Sequence, residues 1–235
     1  IRHKEVTSTR LINTEKLRVN ELSENRHILG IQDTTEINYH SKEGRAHGLG
    51  KVGNPKNIGF FMHPMITLDA NNNSIIGCAE IEVWNRTKKA DKFYPKLPIE
   101  QKESYRWITT ANGARKTLSK AALVTFIGDR ESDIYEFHDR IPDERTHLIT
   151  RVCRDRAIKN SNHKKLYEHL KHTNEAGKLK IDISRDVRIG RQKREAVLSI
   201  KHSVIEVNCP KTISDKSASE SIKMHVVEAK ERDIP

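Results

Sequence analysis

Cysteine is scarce in this sequence, aromatic residues make up only 5% of it, and no apolar run reaches the roughly 18 residues of a membrane-spanning helix. The three cysteines, Cys78, Cys153 and Cys209, lie far apart and form no Cys-x-x-Cys pair. This spacing argues against a zinc ribbon or a disulfide framework and favours a reducing, cytoplasmic setting. No secretory signal peptide is expected either. The sequence therefore predicts a cytoplasmic protein that makes no membrane contact.

Positive charge is plentiful, with a formal net charge of +11 over 235 residues. It is concentrated in residues 151–200, which hold 14 Lys or Arg against 6 Asp or Glu, whereas residues 201–235 hold 6 of each. A basic block of this kind is typical of a surface that binds a polyanion, but it is equally typical of a solvated face. Charge alone does not decide between these two interpretations.

The first two thirds of the chain change from strand to helix patterns. Three strand patterns are followed by alternating helices and strands, which predicts a mixed sheet flanked by helices with ribonuclease-H-like topology. In that topology the first strand lies in the middle, beside the fourth. The predicted strands are 27–32, 59–69, 74–84, 121–127 and 146–152, and the predicted helices are 98–118 and 131–141.

Some details of this region can also be predicted. In strand 59–69 the apolar side chains of Phe60, Met62, Ile66 and Leu68 share one face. Pro64 interrupts the strand and indicates a bulge or an edge there. The helix at 98–118 places Trp107, Ala111, Ala114 and Leu118 on its inner side. Residues 41–57 are rich in Gly, Lys and Asn and predict a loop.

The two ends of the chain have other patterns. Residues 1–25 predict a polar helix, with Thr14 as the cap of a short segment carrying Leu17 and Leu22. Residues 153–235 predict a β-rich, basic module, appended to the first domain or inserted in it. Its predicted elements are a helix at 165–171 and strands at 179–184, 195–200, 204–208 and 224–229.

Asp33 and Asp129 each follow an apolar strand pattern directly. Asp33 could simply start a turn with Thr34, and Asp129 could cap the next helix. Together, however, they would end two strands that the topology makes adjacent, where carboxylates can hold divalent metal for phosphoryl transfer. We therefore predict that both are metal ligands.

The residues around Asp129 have less specific signals. Glu131 and Asp133 fall in the first turn of the following helix and are assigned to capping and to the surface. Arg130 could pair with Glu131 or face a phosphate. The sequence does not distinguish these two roles.

Several segments resemble the DDE transposases of bacterial insertion sequences, namely insertion-sequence family four, typified by the transposase of transposon five. The similarity covers about residues 26–230 and keeps the family order. It is carried by Ile31-Gln-Asp-Thr-Thr, Gly48-Leu-Gly-Lys, Gly59-Phe-Phe-Met-His, Ile81-Glu-Val-Trp-Asn-Arg, Pro98-Ile-Glu-Gln-Lys-Glu-Ser-Tyr-Arg-Trp, Gly128-Asp-Arg-Glu-Ser-Asp-Ile-Tyr, Leu148-Ile-Thr-Arg and Leu166-Tyr-Glu-His-Leu.

The resemblance implies a Mg²⁺-dependent enzyme, with Mn²⁺ as a substitute, that cuts double-stranded DNA at transposon ends and joins it to target DNA. Asp33 and Asp129 match the first two of three metal-binding catalytic carboxylates, and Arg151 matches an arginine near the DNA. A homodimer on DNA and a nucleoid-associated location are implied for the full-length protein. With Arg151, the predicted DNA-binding residues are Arg130, Arg154, Arg156 and Lys159.

The resemblance also gives the domain assignment. Residues 1–25 would be the remnant of an N-terminal helical DNA-binding domain, and 26–152 the first part of the catalytic core. Residues 153–235 would be an incomplete β-rich insertion.

The chain departs from the family at the third carboxylate. The family places this glutamate in a Tyr-x-x-Arg-x-x-x-Glu segment, and here Leu170 stands where the arginine should follow Tyr167. Three hypotheses remain open: the central part of an active transposase; an inactive DNA-binding or dimerising remnant that inhibits transposition; and a ribonuclease-H-like nuclease of another lineage or a repurposed host protein.

Overall fold

A computed structural model describes residues 6–39, 48–53, 57–86, 97–159, 162–213 and 215–231. The chain divides into two compact units. One consists of Ile1–Cys153 with Thr212–Asp215, and the other of Arg154–Lys211 with Lys216–Pro235. The assignment of 1–25, 26–152 and 153–235 to three domains of a longer enzyme stays a prediction.

A seven-stranded mixed sheet forms the centre of the first unit. Its strands are β1 (His27–Gln32), β2 (Thr35–Asn38), β3 (Gly50–Val52), β4 (Asn57–Asp69), β5 (Ile75–Trp84), β6 (Leu123–Gly128) and β7 (Thr146–Thr150). β3 lies within the predicted loop 41–57, of which residues 41–47 and 54–56 lie outside the described residues.

The pairing register fixes the order of the strands. Gln32 of β1 faces Met65 of β4, and Thr35 of β2 faces Met62, so β1 and β2 follow one another along the same edge of β4. β5 pairs with residues 61–68 of β4 and therefore lies on the other edge. β1 also pairs in parallel with β6, and β6 with β7. The order β5–β4–β1–β6–β7 places β1 in the middle beside β6, as predicted.

Irregular pairing occurs near Pro64, where the sequence predicted it. Continuing the register of β1 and β2 places Asp33 opposite Pro64, which has no N–H to offer the ladder. On the other edge, the pairing of β4 with β5 shifts between Met65 and Ile66.

Phe60, Met62, Ile66 and Leu68 share one face of β4, as predicted, but the opposite face is the buried one. Phe61, His63, Met65 and Thr67 are buried, whereas the side with Phe60, Met62, Ile66 and Leu68 is only partly covered or exposed. Two polar residues occupy the buried face because each has a hydrogen-bonding partner there. The Thr67 hydroxyl, for example, donates to the Gly77 carbonyl over 2.9 Å.

Helix α1 (Ser8–Leu22) packs on β5. It begins after Thr7, whose hydroxyl accepts the Arg10 N–H, so the prediction that Thr14 caps the helix is wrong. The helix carries Leu17 and Leu22 as predicted, but both are exposed, and Val19 is buried against the sheet.

Helix α2 (Arg106–Thr117) packs on β4 and β5. It starts later than predicted, because Ile99–Gln101 and Glu103–Tyr105 form separate 3-10 turns. Its predicted inner side is confirmed. Trp107, Ala111, Ala114 and Leu118 are completely buried.

The helix predicted at 131–141 is interrupted. A 3-10 turn at Arg130–Ser132 is followed by Ile134 in an extended conformation, and α3 (Tyr135–Arg140) starts only after it. The break coincides with Asp133, whose carboxylate accepts the backbone N–H of Cys153 over 2.9 Å.

The second unit contains helix α4 (Leu166–His172) and an antiparallel sheet of three strands in the order β10–β9–β8. These strands are β8 (Glu175–Ile183), β9 (Arg194–Asn208) and β10 (Ser221–Glu231). The two strands predicted at 195–200 and 204–208 are one strand, because residues 201–203 continue the pairing with β10. No helix in the described part of either unit is long and apolar enough to cross a bilayer.

Candidate active site

Asp33 and Asp129 occupy equivalent positions at the carboxyl ends of two neighbouring parallel strands. Ile31 of β1 pairs with Ile127 of β6, and each aspartate lies two residues beyond its member of this pair. Neighbouring strands lie about 4.8 Å apart, so this register favours two carboxylates side by side. That they bridge metal ions stays a prediction.

Arg151 continues this row. Ile127 of β6 also pairs with Ile149 of β7, and Arg151 lies two residues beyond Ile149. The carboxyl ends of β1, β6 and β7 are thus followed at the same level by Asp33, Asp129 and Arg151, all three exposed. Two anionic groups and one cationic group follow three adjacent strands.

Both aspartates also make the local hydrogen bonds that the turn and capping interpretation required. Asp33 Oδ1 accepts the Thr34 N–H over 2.7 Å, and Asp129 Oδ1 accepts the Glu131 N–H over 2.8 Å. Each of these bonds occupies one lone pair of one carboxylate oxygen. The second oxygen of each carboxylate is not engaged by them, so the local role and metal binding are compatible.

A chain of hydrogen bonds runs from the surface into the core next to Asp33. Arg106 Nε donates to Thr34 Oγ1 over 2.8 Å, and Thr34 Oγ1 lies 2.9 Å from His63 Nδ1. His63 Nε2 lies 3.2 Å from Gln32 Oε1. These contacts form a continuous chain if the Thr34 hydroxyl donates to His63 Nδ1 and His63 Nε2–H donates to Gln32 Oε1. Since Nδ1 then accepts and only Nε2 carries a proton, the imidazole is neutral.

Electrostatics keep His63 neutral. Its side chain is completely buried, with the ring edge against Trp107 at 4.7 Å between centroids. Burial, and secondarily the positive charge of Arg106, lowers the pKa of His63 to about 3. The imidazole therefore holds Thr34, and with it the backbone next to Asp33, without carrying charge.

Arg106 connects the two loops that carry the aspartates. Besides its bond to Thr34, it donates from Nη2 to Glu131 Oε2 over 2.8 Å and from Nη1 to the Glu103 carbonyl over 3.0 Å. Its side chain is only 11% exposed. A nearly buried guanidinium thus links the residue after Asp33 with a residue two positions after Asp129.

The prediction for Asp133 is wrong, because its side chain is buried and not on the surface. Besides the Cys153 N–H, the carboxylate has His138 Nε2 at 3.5 Å. Glu131 is exposed as predicted, but its partner is Arg106. Among the described residues no ion pair joins Arg130 to Glu131, and the Arg130 side chain is exposed.

The predicted DNA-binding residues are divided between the units. Arg130 and Arg151 belong to the first unit, and Arg154, Arg156 and Lys159 to the second. Lys159 forms an ion pair with Glu206 over 3.3 Å. Their union in one DNA-facing surface stays a prediction.

The donor chemistry suits Mg²⁺, because carboxylate oxygens are the ligands that it prefers. Within the described residues, however, no three His, Cys, Asp or Glu side chains come together in a metal-binding group. Two aspartates are present at this edge, and a third ligand is not identified.

Sequence reasoning missed His63 and Arg106 as members of the site, although both stand in segments that carried the family resemblance. A signal for His63 existed. It alternates with Phe61 and Met65 in β4, and a polar side chain between two core residues requires a specific partner. Arg106 gave no comparable signal.

No protein-family model matches the sequence. Among solved structures, the chain is similar to a piggyBac transposase in a synaptic complex with hairpin DNA, determined by cryo-EM. The sequences are 12% identical, the TM-score is 0.33, and the match covers 88% of this chain. It covers 33% of that chain, so the present chain spans about a third of its length. This likeness is too low to support an argument about function.

Proposed function

We propose that this chain carries two catalytic aspartates of a DNA transposase of the DDE type, related to bacterial insertion-sequence family four. The observation that carries the proposal is the common register of Asp33 and Asp129 at the ends of β1 and β6. Side-by-side carboxylates at adjacent strand ends are suited to metal-dependent phosphoryl transfer on DNA.

The order of the strands supports a ribonuclease-H-like core. β1, β4 and β5 form an antiparallel series, and β6 and β7 continue the sheet in parallel beside β1. A central first strand paired with the fourth main strand is what the sequence pattern predicted for this fold. The ordered family segments give independent support.

Mg²⁺ would be held by the carboxylates of Asp33 and Asp129. When bound, it supplies positive charge that stabilises the charge developing on the phosphoryl oxygens during cleavage and strand transfer. The role of the surrounding residues is positional. Arg106 and His63 hold Thr34, and Arg106 also holds Glu131, so the two aspartate-bearing loops have a common anchor.

Double-stranded DNA would approach along the same edge. Arg130 and Arg151 are both exposed. Arg130 follows Asp129 in the sequence, and Arg151 lies level with Asp129 in the strand register. Arg154, Arg156 and Lys159 of the second unit, which belong to the basic block at 151–200, would contact phosphate as well. Homodimerisation on DNA belongs to the same proposal for the full-length protein.

Metal binding tests the site directly. Mn²⁺ affinity is measured by electron paramagnetic resonance for the wild type, Asp33→Asn and Asp129→Asn, with the exposed Glu24→Gln as the control that removes the same charge. We expect weak binding that both aspartate variants lose and Glu24→Gln retains. Equal affinity in all four proteins would overturn the proposal.

The second candidate is an inactive DNA-binding or dimerising remnant. It is favoured by the absence of a third metal-binding side chain near the two aspartates in the described residues. DNA nicking distinguishes the candidates. Mn²⁺-dependent nicking by this chain, lost in Asp129→Ala, would establish an active enzyme. Mn²⁺ binding without nicking would support the remnant.

A further inference from the structure

A polar cleft lies at the other end of the parallel strands, away from Asp33 and Asp129. Its volume is about 530 Å³, within the range of small-ligand sites. Val124 at the start of β6 and Thr146 at the start of β7 line it. Asp129 lies five positions beyond Val124, which corresponds to about 16 Å along an extended strand.

The two walls of the cleft come from different elements. Asn112, Arg115 and Lys116 project from the last turns of α2, and Asp143 and Arg145 come from the turn before β7. The floor is apolar, formed by Leu118 and Val124, both buried. An apolar floor between polar walls is typical of ligand sites.

Asp143 connects the two walls. Its carboxylate forms an ion pair with Arg115 and accepts the backbone N–H of Arg145 over 2.9 Å. Burial by itself raises the pKa of Asp143. The hydrogen bonds from Arg145 and Thr146 and the charge of Arg115 together outweigh this effect, so the pKa of Asp143 lies below its usual value. The carboxylate is therefore ionised at neutral pH and keeps Arg115 in place.

The cleft retains positive charge after this pairing. Among the described residues no carboxylate pairs with Lys116 or Arg145, and the Arg145 guanidinium contacts only the Ser119 carbonyl, at 3.4 Å. The carboxyl end of α2 contributes a partial charge of about −0.5. The cleft therefore has three positive charges, from Arg115, Lys116 and Arg145, and two negative contributions, from Asp143 and the helix end. Its net charge is about +1.5.

We propose that this cleft binds phosphate groups. Arg115 is held by Asp143, and the other N–H groups of its planar guanidinium can donate to phosphate oxygens. Lys116 adds a point charge, and the Asn112 amide can also donate a hydrogen bond. This site is independent of the metal site and does not require the proposed function. The phosphate could belong to a free phosphorylated compound or to a DNA strand.

Lys116→Gln combined with Arg145→Gln tests the proposal, since both side chains are exposed and the pair of Arg115 with Asp143 is kept. Lys51→Gln combined with Lys102→Gln is the control, because it removes the same charge from the first unit outside the cleft. Thermal unfolding of both variants verifies that they are folded. Binding of inorganic pyrophosphate and of a 20-base-pair duplex is measured in EDTA.

We expect the cleft variant to lose roughly tenfold or more in affinity for at least one probe, while the control changes much less. A loss for pyrophosphate alone identifies a free phosphorylated ligand. A loss for the duplex identifies the DNA backbone. If neither probe separates the cleft variant from the control, the proposal is overturned. Because EDTA removes divalent metal, this result does not depend on Asp33 and Asp129.

Discussion

Arg106 donates a hydrogen bond of 2.8 Å to the Thr34 hydroxyl across 72 positions of the sequence. Thr34 directly follows Asp33, and the same guanidinium reaches Glu131, two residues after Asp129. The loops at the ends of β1 and β6 are therefore held by one side chain of α2. If the aspartates act together, the distance between them depends on Arg106.

Replacing Arg106 with Gln should destabilise the protein. The Arg106 side chain is only 11% exposed, and its guanidinium donates to three oxygen atoms, from Thr34, Glu103 and Glu131. Hydrogen bonds to a charged group contribute about 1.5–3 kcal/mol each when they are well formed, so we expect a loss of about 2–3 kcal/mol in urea unfolding.

Arg86→Gln is the matched control. Arg86 also pairs with Glu103 but is 47% exposed, so its loss should cost less than about 1 kcal/mol. Equal losses in the two variants would contradict the role of Arg106 as a buried anchor.

Acid should destabilise the protein through His63. Its pKa is about 3 in the folded state and about 6.5 in an unfolded chain, so between these values the unfolded state binds more protons. Stability therefore rises with pH in this window and falls as the pH is lowered. Between pH 7 and pH 5 the contribution of His63 amounts to a loss of about 2 kcal/mol.

His63→Gln removes this titration. The variant should be less stable than the wild type at pH 7, because Thr34 and Gln32 lose their buried partner. Its additional loss between pH 7 and pH 5 should be smaller by about 2 kcal/mol, measured by urea unfolding at both values. A parallel pH dependence of the two proteins would show that His63 is not held neutral.

Some of this architecture could be predicted because the information is local. An apolar run that ends in Asp predicts a strand with a carboxylate at its end, and the parallel order then places Asp33 level with Asp129. The inner side of α2 was predictable for the same reason, since Trp107 and Ala111 follow the helical period.

Other features could not be predicted because they depend on packing. Phe60 and Met62 are more apolar than His63 and Thr67, so alternation alone selects the wrong face of β4. His63 can be buried because two residues from another part of the chain are its hydrogen-bonding partners, Thr34 at Nδ1 and Gln32 at Nε2. Likewise, Thr34 and Glu131 become partners of Arg106 only when α2 packs on the sheet, so the sequence does not reveal these contacts.

Gly30 is constrained by the core beneath the site. A Cβ at this position would lie 2.7 Å from Phe126 Cδ1 and 2.9 Å from Met65 Sδ, and both of these side chains are completely buried. Gly30→Ala should therefore cost about 1–3 kcal/mol in thermal or urea unfolding. Gly177→Ala is the control, because a Cβ there meets nothing within 4 Å. A neutral Gly30→Ala would show that the side chains of Phe126 and Met65 can shift without cost.

Salt dependence tests the basic block as a DNA surface. Neutralising Arg151, Arg154, Arg156 and Lys159 to Gln should lower the affinity for duplexes of any sequence. Each phosphate contact contributes about −0.9 to the slope of log affinity against log salt, because it releases counterions. The quadruple variant should therefore have a slope that is flatter by about 2–4, if most of the four residues contact phosphate.

The control for this measurement removes four positive charges outside the block. Lys211, Lys216, Lys223 and Lys230 are exposed and lie in residues 201–235, where charge is balanced. Their replacement by Gln changes the net charge equally, so a general electrostatic effect would weaken binding in both variants alike. A larger loss and a flatter slope in the first variant alone would assign the DNA contacts to Arg151, Arg154, Arg156 and Lys159. If the two variants behave alike, the block at 151–200 is a solvated face.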